Sequence, residues 1–251
     1  MASNPPSTCC TVGVKHEGET TGTTFKIGSI EAYVAVPKDK AHKNTAILYL
    51  PDVFGIWENS KLIADQFAAN GYYTLVVDLF NGDALTLNRP EGFDFMKWLT
   101  KGSDGNNPHT FEAVDPIVEM SIEYLKGEGY TKIGSVGYCF GAKYVARYMA
   151  MSKGIDVGYM AHPSFVTEEE LSAITGPLSI AAAETDQIFT TELRHKSEEI
   201  LIKTKLPYQI NLFGGTEHGF SVRCNLSIPV QKFAKEKAFL QAVAWFDEYL
   251  L

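Results

Sequence analysis

No apolar run in this 251-residue chain approaches the roughly 20 residues that a membrane-spanning helix needs. Met1 to Thr11 lacks the charged and apolar regions of a secretory signal. A cytoplasmic protein without a membrane partner is the expectation. Positive charge is scarce as well: 22 basic residues face 30 acidic ones, a net charge of -8, and no Lys/Arg cluster is present to neutralise successive phosphates. Nucleic acid is not an expected partner. Cysteine is sparse, and Cys9, Cys10, Cys139 and Cys224 form no C-x-x-C pair. Adjacent Cys9 and Cys10 are poorly placed to bridge, so free thiols are expected. The six histidines include no H-x-x-x-H pair and none has a cysteine at ligand spacing, so neither metal nor cofactor is expected. His16, His42, His109 and His195 lie on polar segments and read as solvated. Internal repeats and Pro/Ser-rich linkers are missing too, so residues 1-251 read as a single domain, with 1-22 as an N-terminal extension.

What is present is an alternation of short apolar strands and helices. Thr24-Ile27 and Ile30-Val36 flank Gly28-Ser29 as a two-residue antiparallel hairpin. Strands follow at Ala46-Leu50, Tyr73-Val77, Lys132-Val136, Val157-Met160, Pro177-Ala182 and Tyr208-Leu212. Between and after them the apolar spacing predicts helices over Asn59-Asn70, Phe111-Lys126, Phe140 to about Met151, Thr191-Lys203 and from Pro229 onward. The strands are apolar throughout rather than alternating, as Ala46-Leu50 illustrates, which a parallel sheet with helices on both faces requires. The fold class is α/β, with a mostly parallel central sheet. Residues 79-110, rich in Gly, Asn and Pro, are too long for an ordinary connection and form a candidate lid or pocket wall.

The sharpest chemical signal is Gly137-Tyr138-Cys139-Phe140-Gly141, a G-x-C-x-G segment between a strand and a helix. In a nucleophile elbow the central residue sits on a strained strand-to-helix turn, and the glycines admit neighbouring backbone. The helix start offers free N–H groups that favour a thiolate and a developing oxyanion, with Phe140 N–H the first donor. A buried cysteine after a core strand is the plainer reading. Order along the chain decides between them. Asp186 follows one later strand and His218 the next, giving nucleophile, acid and histidine, each beyond the carboxyl end of a strand. Glu184 is the rival carboxylate, two residues before Asp186. His162 also ends a strand, and it and Tyr138 within the elbow are candidate pocket residues.

These residues resemble the dienelactone hydrolase (carboxymethylenebutenolidase) family of α/β-hydrolases from about Lys26 to the C-terminus. The carriers are Leu50-Pro51-Asp52-Val53-Phe54-Gly55, Gly71-Tyr72-Tyr73 leading to Asp78-Leu79-Phe80, the elbow, Glu184-Thr185-Asp186 and His218-Gly219-Phe220. The resemblance implies an α/β-hydrolase fold, a Cys139-Asp186-His218 triad and a second oxyanion N–H at Val53. It also implies a thiol-gating role at Asp52, where the family carries glutamate, one methylene longer. Of two arginines that hold a substrate carboxylate in the family's bacterial enzymes, the first is missing at Asn81-Gly82-Asp83. Arg223 lies one residue beyond the place of the second, with Arg89 as an alternative.

The expected activity is hydrolysis of a small ester, enol lactone or thioester through an acyl-Cys139 intermediate, without a cofactor. A small-molecule substrate is the expected partner, and the chain is expected to be a monomer or homodimer. Two alternatives stay open on the same scaffold: an isomerase, cyclase or lactonising enzyme, and a non-catalytic binding protein.

Overall fold

The structure is a computed structural model, and it describes residues 1-90 and 92-251. Strands β1 (Thr23–Ile27) and β2 (Ile30–Ala35) pair antiparallel, Ile27 facing Ile30 across the two-residue turn. Then follow β3 (Thr45–Leu50), α1 (Glu58–Ala69), β4 (Tyr73–Val77), α2 (Phe95–Lys101), α3 (Phe111–Gly127), β5 (Lys132–Tyr138) and α4 (Phe140–Tyr148). The remainder is β6 (Val157–Ala161), α5 (Glu168–Ser172), β7 (Leu178–Thr185), α6 (Thr191–Thr204), β8 (Tyr208–Glu217), α7 (Phe220–Arg223) and α8 (Pro229–Tyr249). All eight strands form one sheet in the order β1-β2-β4-β3-β5-β6-β7-β8, antiparallel where β2 meets β1 and β4 and parallel from β4 to β8. This is the α/β-hydrolase arrangement.

The uninterrupted apolar strands acquire their meaning from two separate cores. Along β3, Ala46, Leu48 and Leu50 face one cluster, with Val118 and Ile122 of α3 and Val145 of α4. Ile47 and Tyr49, pointing the other way, meet Ile63 and Phe67 of α1 and Ala242 and Phe246 of α8. Side chains alternate across a strand, so a strand with two apolar partners cannot show a polar face. The parallel strands thus direct their carboxyl ends to one edge, where the loops after β3, β5, β7 and β8 converge. No helix among the described residues is long and apolar enough to cross a membrane.

Two expectations need correction, both on histidines. The extension 1-22 packs onto the rest of the chain: Ala2, Ser3, Cys10, Thr11 and His16 are buried, a 3₁₀ turn spans Thr8–Thr11, and Ala2 N–H donates to Val166 O at 2.8 Å. Its polar composition hides this because the segment is held by hydrogen bonds rather than by an apolar face. His16, expected in solvent, is buried: its Nε2 is 2.8 Å from Cys224 O, and its backbone N–H donates to Asn59 Oδ1 at 2.7 Å. His109, also expected in solvent, is buried with Nε2 2.8 Å from Asp83 Oδ2. The same Asp83 organises the wall segment 79-110, accepting from Ser103 N–H at 2.8 Å while its carbonyl accepts from Trp98 Nε1. Trp98 and Leu99 of the unanticipated helix α2 enter the core, Trp98 against Phe80.

Candidate active site

β5 runs directly into Cys139, whose φ of 50° and ψ of -109° turn the chain so that α4 starts at Phe140. A non-glycine residue with positive φ costs on the order of 1-3 kcal/mol and persists only when its surroundings impose it. Here Cys139 N–H donates to Ala161 O at 3.1 Å, and Cys139 O accepts from Ser164 N–H at 3.0 Å and Ala142 N–H at 3.2 Å. The two glycines of the segment are steric requirements. A Cβ on Gly137 would lie 2.6 Å from Val145 Cγ2, and one on Gly141 would run into the Leu50 carbonyl. Backbone cannot step aside as a side chain does. Gly141→Ala should therefore lower folding stability by about 2-3 kcal/mol, read by denaturant unfolding. A variant within 0.5 kcal/mol of the parent, on the order of a neutral surface change, would contradict this close approach.

His218 follows β8 directly, and Gly219, with φ of 92°, turns the chain into α7. Its Nδ1 lies 2.9 Å from Asp186 Oδ2 and 3.0 Å from Oδ1. Asp186 is fixed in turn by N–H donors from Ile188 at 2.8 Å and Phe189 at 3.0 Å. Glu184 turns away and accepts from Gly215 N–H at 2.7 Å. Burial pushes the Asp186 carboxyl up, but His218 and the two N–H donors outweigh it and hold the pKa below the usual value. Burial pulls His218 down, whereas the charges of Cys139 and Asp186 raise it to about 10. For Cys139, burial again opposes ionisation, yet hydrogen bonding to Cys10 and the positive charges of His218 and Arg223 bring the thiol well below its ordinary pKa. The favoured state is a thiolate beside an imidazolium.

Cys10 is the residue that sequence reasoning missed. Its Sγ lies 3.4 Å from Cys139 Sγ and 3.6 Å from His218 Nε2, and the three atoms lie within 4.8 Å of one another. All three residues are buried. Burial and its neighbouring thiols push Cys10 well above the ordinary thiol pKa. The segment carrying it is strapped across the site: Arg223 Nε donates to Val12 O at 2.9 Å, and Val14 N–H donates to Arg223 O at 2.9 Å. The paired cysteines were visible in the sequence, but nothing in their spacing links them to Cys139. Partly exposed Cys9 differs from its neighbour. Hydrogen bonding to Cys10 leads over burial in lowering its pKa to about 6, with His218 and Ser7 assisting. Iodoacetamide should alkylate Cys9 with a pH midpoint of about 6, followed by peptide mass mapping. A midpoint near 9 would overturn that assignment of charge.

Asp52 and Arg223 are joined by a buried ion pair, Nη1 to Oδ2 at 2.8 Å, each side chain 1% exposed. Asp52 Oδ1 accepts from Phe54 N–H at 3.2 Å, so the carboxylate is committed to Arg223 and the backbone and makes no hydrogen bond to Cys139. Burial raises its pKa to about 6 in spite of the guanidinium. Arg223, His218 and Gly219 line a pocket of about 410 Å³ together with Cys9, Gly13 and Gln187. Tyr138 and His162, like the fully buried Cys139, do not line this pocket. Tyr138 stacks on Tyr49, centroids 4.9 Å apart, in the core beneath α1 and α8, because adjacent strand residues face opposite sides. His162 is fully buried with Nε2 2.8 Å from Ser221 Oγ, and its ring centroid lies 5.0 Å from that of His218. Arg89 lies over the Phe93 ring at 5.2 Å. Val53, in the loop after β3, and Phe140, at the start of α4, are both buried, and neither N–H donates to a protein acceptor among the described residues.

The chemistry of Cys10, Cys139 and His218 is that of a thiol and imidazole donor set; in other respects the arrangement suits acyl transfer. The family model described as the dienelactone hydrolase family matches residues 30–250. A protein named Hydrolase pyvD from Aspergillus violaceofuscus is 48% identical over 252 residues, covering 100% of this chain and 99% of its own. One named Dienlactone hydrolase 1 from Gibberella moniliformis is 34% identical over 263 residues, covering 100% and 96%. Among solved structures, a dienelactone hydrolase from Anabaena variabilis superposes with a TM-score of 0.64 at 12% identity, covering 94% of this chain and 100% of that one.

Proposed function

The chain belongs to the dienelactone hydrolase family, and on that premise we propose that it hydrolyses a small ester, enol lactone or thioester through an acyl-Cys139 intermediate. The observation that carries the reading is a thiol on a strained turn at a helix start, beside a histidine whose far nitrogen rests on a buried carboxylate. In the proposed cycle the Cys139 thiolate attacks the carbonyl carbon, and the electron pair of the C=O moves onto oxygen. The Val53 and Phe140 N–H groups meet that oxyanion; a single such donor is worth about 10²-10³ in rate. The His218 imidazolium then gives its proton to the leaving alkoxide or thiolate. Asp186 keeps the proton on Nδ1 in the neutral form that follows, so that Nε2 is free to accept from water. The water attacks the thioester, and Cys139 leaves.

From the tetrahedral intermediate a thiolate leaves more readily than an amine, so activated esters, lactones and thioesters suit this nucleophile better than amides. Arg223 borders the pocket but is already engaged by Asp52, which argues against a substrate carboxylate as an obligatory handle. The test is incubation with aryl esters, enol lactones and thioesters, rapid acid quench and intact-mass measurement with peptide mapping. A mass increment of the acyl group on the Cys139 peptide is expected. Turnover with the increment on another residue, or with none under burst conditions, would count against the reading.

A further inference from the structure

We propose that Cys10, Cys139 and His218 together form a binding site for a soft divalent cation, zinc in the first instance, which occupies the nucleophile and shuts the site. The three residues come from the N-terminal strap, the elbow and the loop after β8, and all are buried. Tetrahedral zinc with bonds of about 2.3 Å to sulfur and 2.0-2.1 Å to nitrogen sets its ligand atoms about 3.8 Å apart for two sulfurs and about 3.5 Å for sulfur and nitrogen. The observed separations are 3.4 Å for Cys10 and Cys139 and 3.6 Å for Cys10 and His218. The third edge is no longer than 4.8 Å and closes by about 1 Å through side-chain torsions.

Two thiolates and an imidazole suit zinc in preference to magnesium or calcium, which take oxygen ligands. His218 Nδ1 rests on Asp186, which fixes the tautomer that presents Nε2 to the metal. Arg223 does not oppose the cation with an unmatched charge, because Asp52 pairs with it. Three protein ligands leave the fourth position to water. Binding releases the protons of Cys10 and His218, and forms no bond other than those to the metal. In the acyl cycle proposed above Cys10 forms no bond to substrate and only supports the Cys139 thiolate by a hydrogen bond, so a metal ligand role gives that buried thiol a second purpose.

Binding itself does not depend on the catalytic roles; only the inhibition arm rests on that reading. The reduced full-length protein, kept in a phosphine reductant, is titrated with zinc against a chromophoric chelator and, separately, with cobalt. Expected are one zinc per chain and a thiolate-to-cobalt charge-transfer band. Cys10→Ser should weaken zinc binding by about 100-fold or more and halve the band intensity, while Cys224→Ser, outside the cluster, should leave both unchanged. The cobalt spectrum of the parent protein needs no variant to fold. Absence of the charge-transfer band, or equal zinc affinity in parent and Cys10→Ser, would overturn the proposal. In the activity arm, one equivalent of zinc should suppress hydrolysis, and a chelator should restore it. Zinc that binds with the full thiolate signature while hydrolysis persists would instead displace Cys139 from its proposed catalytic role.

Discussion

Cys139→Ala should lower kcat/KM for the best ester or lactone by about 10⁴-fold or more, with no acyl adduct and with folding stability nearly intact. The size follows from what the side chain supplies. Removing a nucleophile from a triad leaves only oxyanion stabilisation and substrate positioning, and in comparable hydrolases the loss reaches about 10⁶. Stability should hold because alanine retains the Cβ and a small apolar volume, although φ of 50° remains a strained conformation for it. The thiol also has an electrostatic effect on its surroundings. It is the largest influence raising His218 to about 10, so the variant's imidazole should titrate lower, observable by NMR of the ring protons. Residual activity within tenfold of the parent would mean that another group attacks, and the neighbouring Cys10 is then the first to replace. Cys10→Ala tested alone separates the two thiols: it should keep the acyl adduct on Cys139.

Much of this site was legible because the α/β-hydrolase pattern is local at each point and periodic overall. Apolar strands revealed the buried sheet, the glycines of Gly137-Tyr138-Cys139-Phe140-Gly141 marked the tight turn, and Asp186 and His218 appeared in order after later strands. What could not be read has a common physical character. Cys10 reaches Cys139 across 129 residues through a strap secured by backbone hydrogen bonds, which any sequence can make. His16 and His109 are buried for the same reason: each satisfies its ring nitrogen on a carbonyl or carboxylate that only the fold brings near. Tyr138 is the last residue of β5 and faces the core beneath α1 and α8, which its place beside Cys139 in the sequence does not indicate. The family resemblance implies a gate on the thiol at Asp52, yet that carboxylate is held by an arginine 171 positions away.

That buried pair should dominate the stability of the site. Arg223→Met keeps much of the apolar stem but leaves the Asp52 carboxylate, 1% exposed, without its cation. Removing one partner of a buried ion pair costs about 3-5 kcal/mol, because the surviving charge keeps its desolvation penalty. The loss should also depend on pH. Asp52 already has a folded-state pKa of about 6 against the ordinary 3.8, and removal of Arg223 pushes it higher still. A folded-state pKa above the unfolded one means that the native state binds the proton more tightly, so stability falls as pH rises from about 4 through the folded value. The variant should therefore be less destabilised at pH 5 than at pH 8 in urea unfolding. Asp52→Asn in the same background should recover part of the loss at pH 8 by removing the charge. A loss below about 1 kcal/mol, equal at both pH values, would place the pair among ion pairs that contribute little. The consequence for function is direct, since Arg223 also donates to Val12 O and packs its stem against Gly13. Loosening Arg223 loosens the strap, so Cys10 in the variant should become reactive to iodoacetamide, linking stability of the ion pair to access at Cys139.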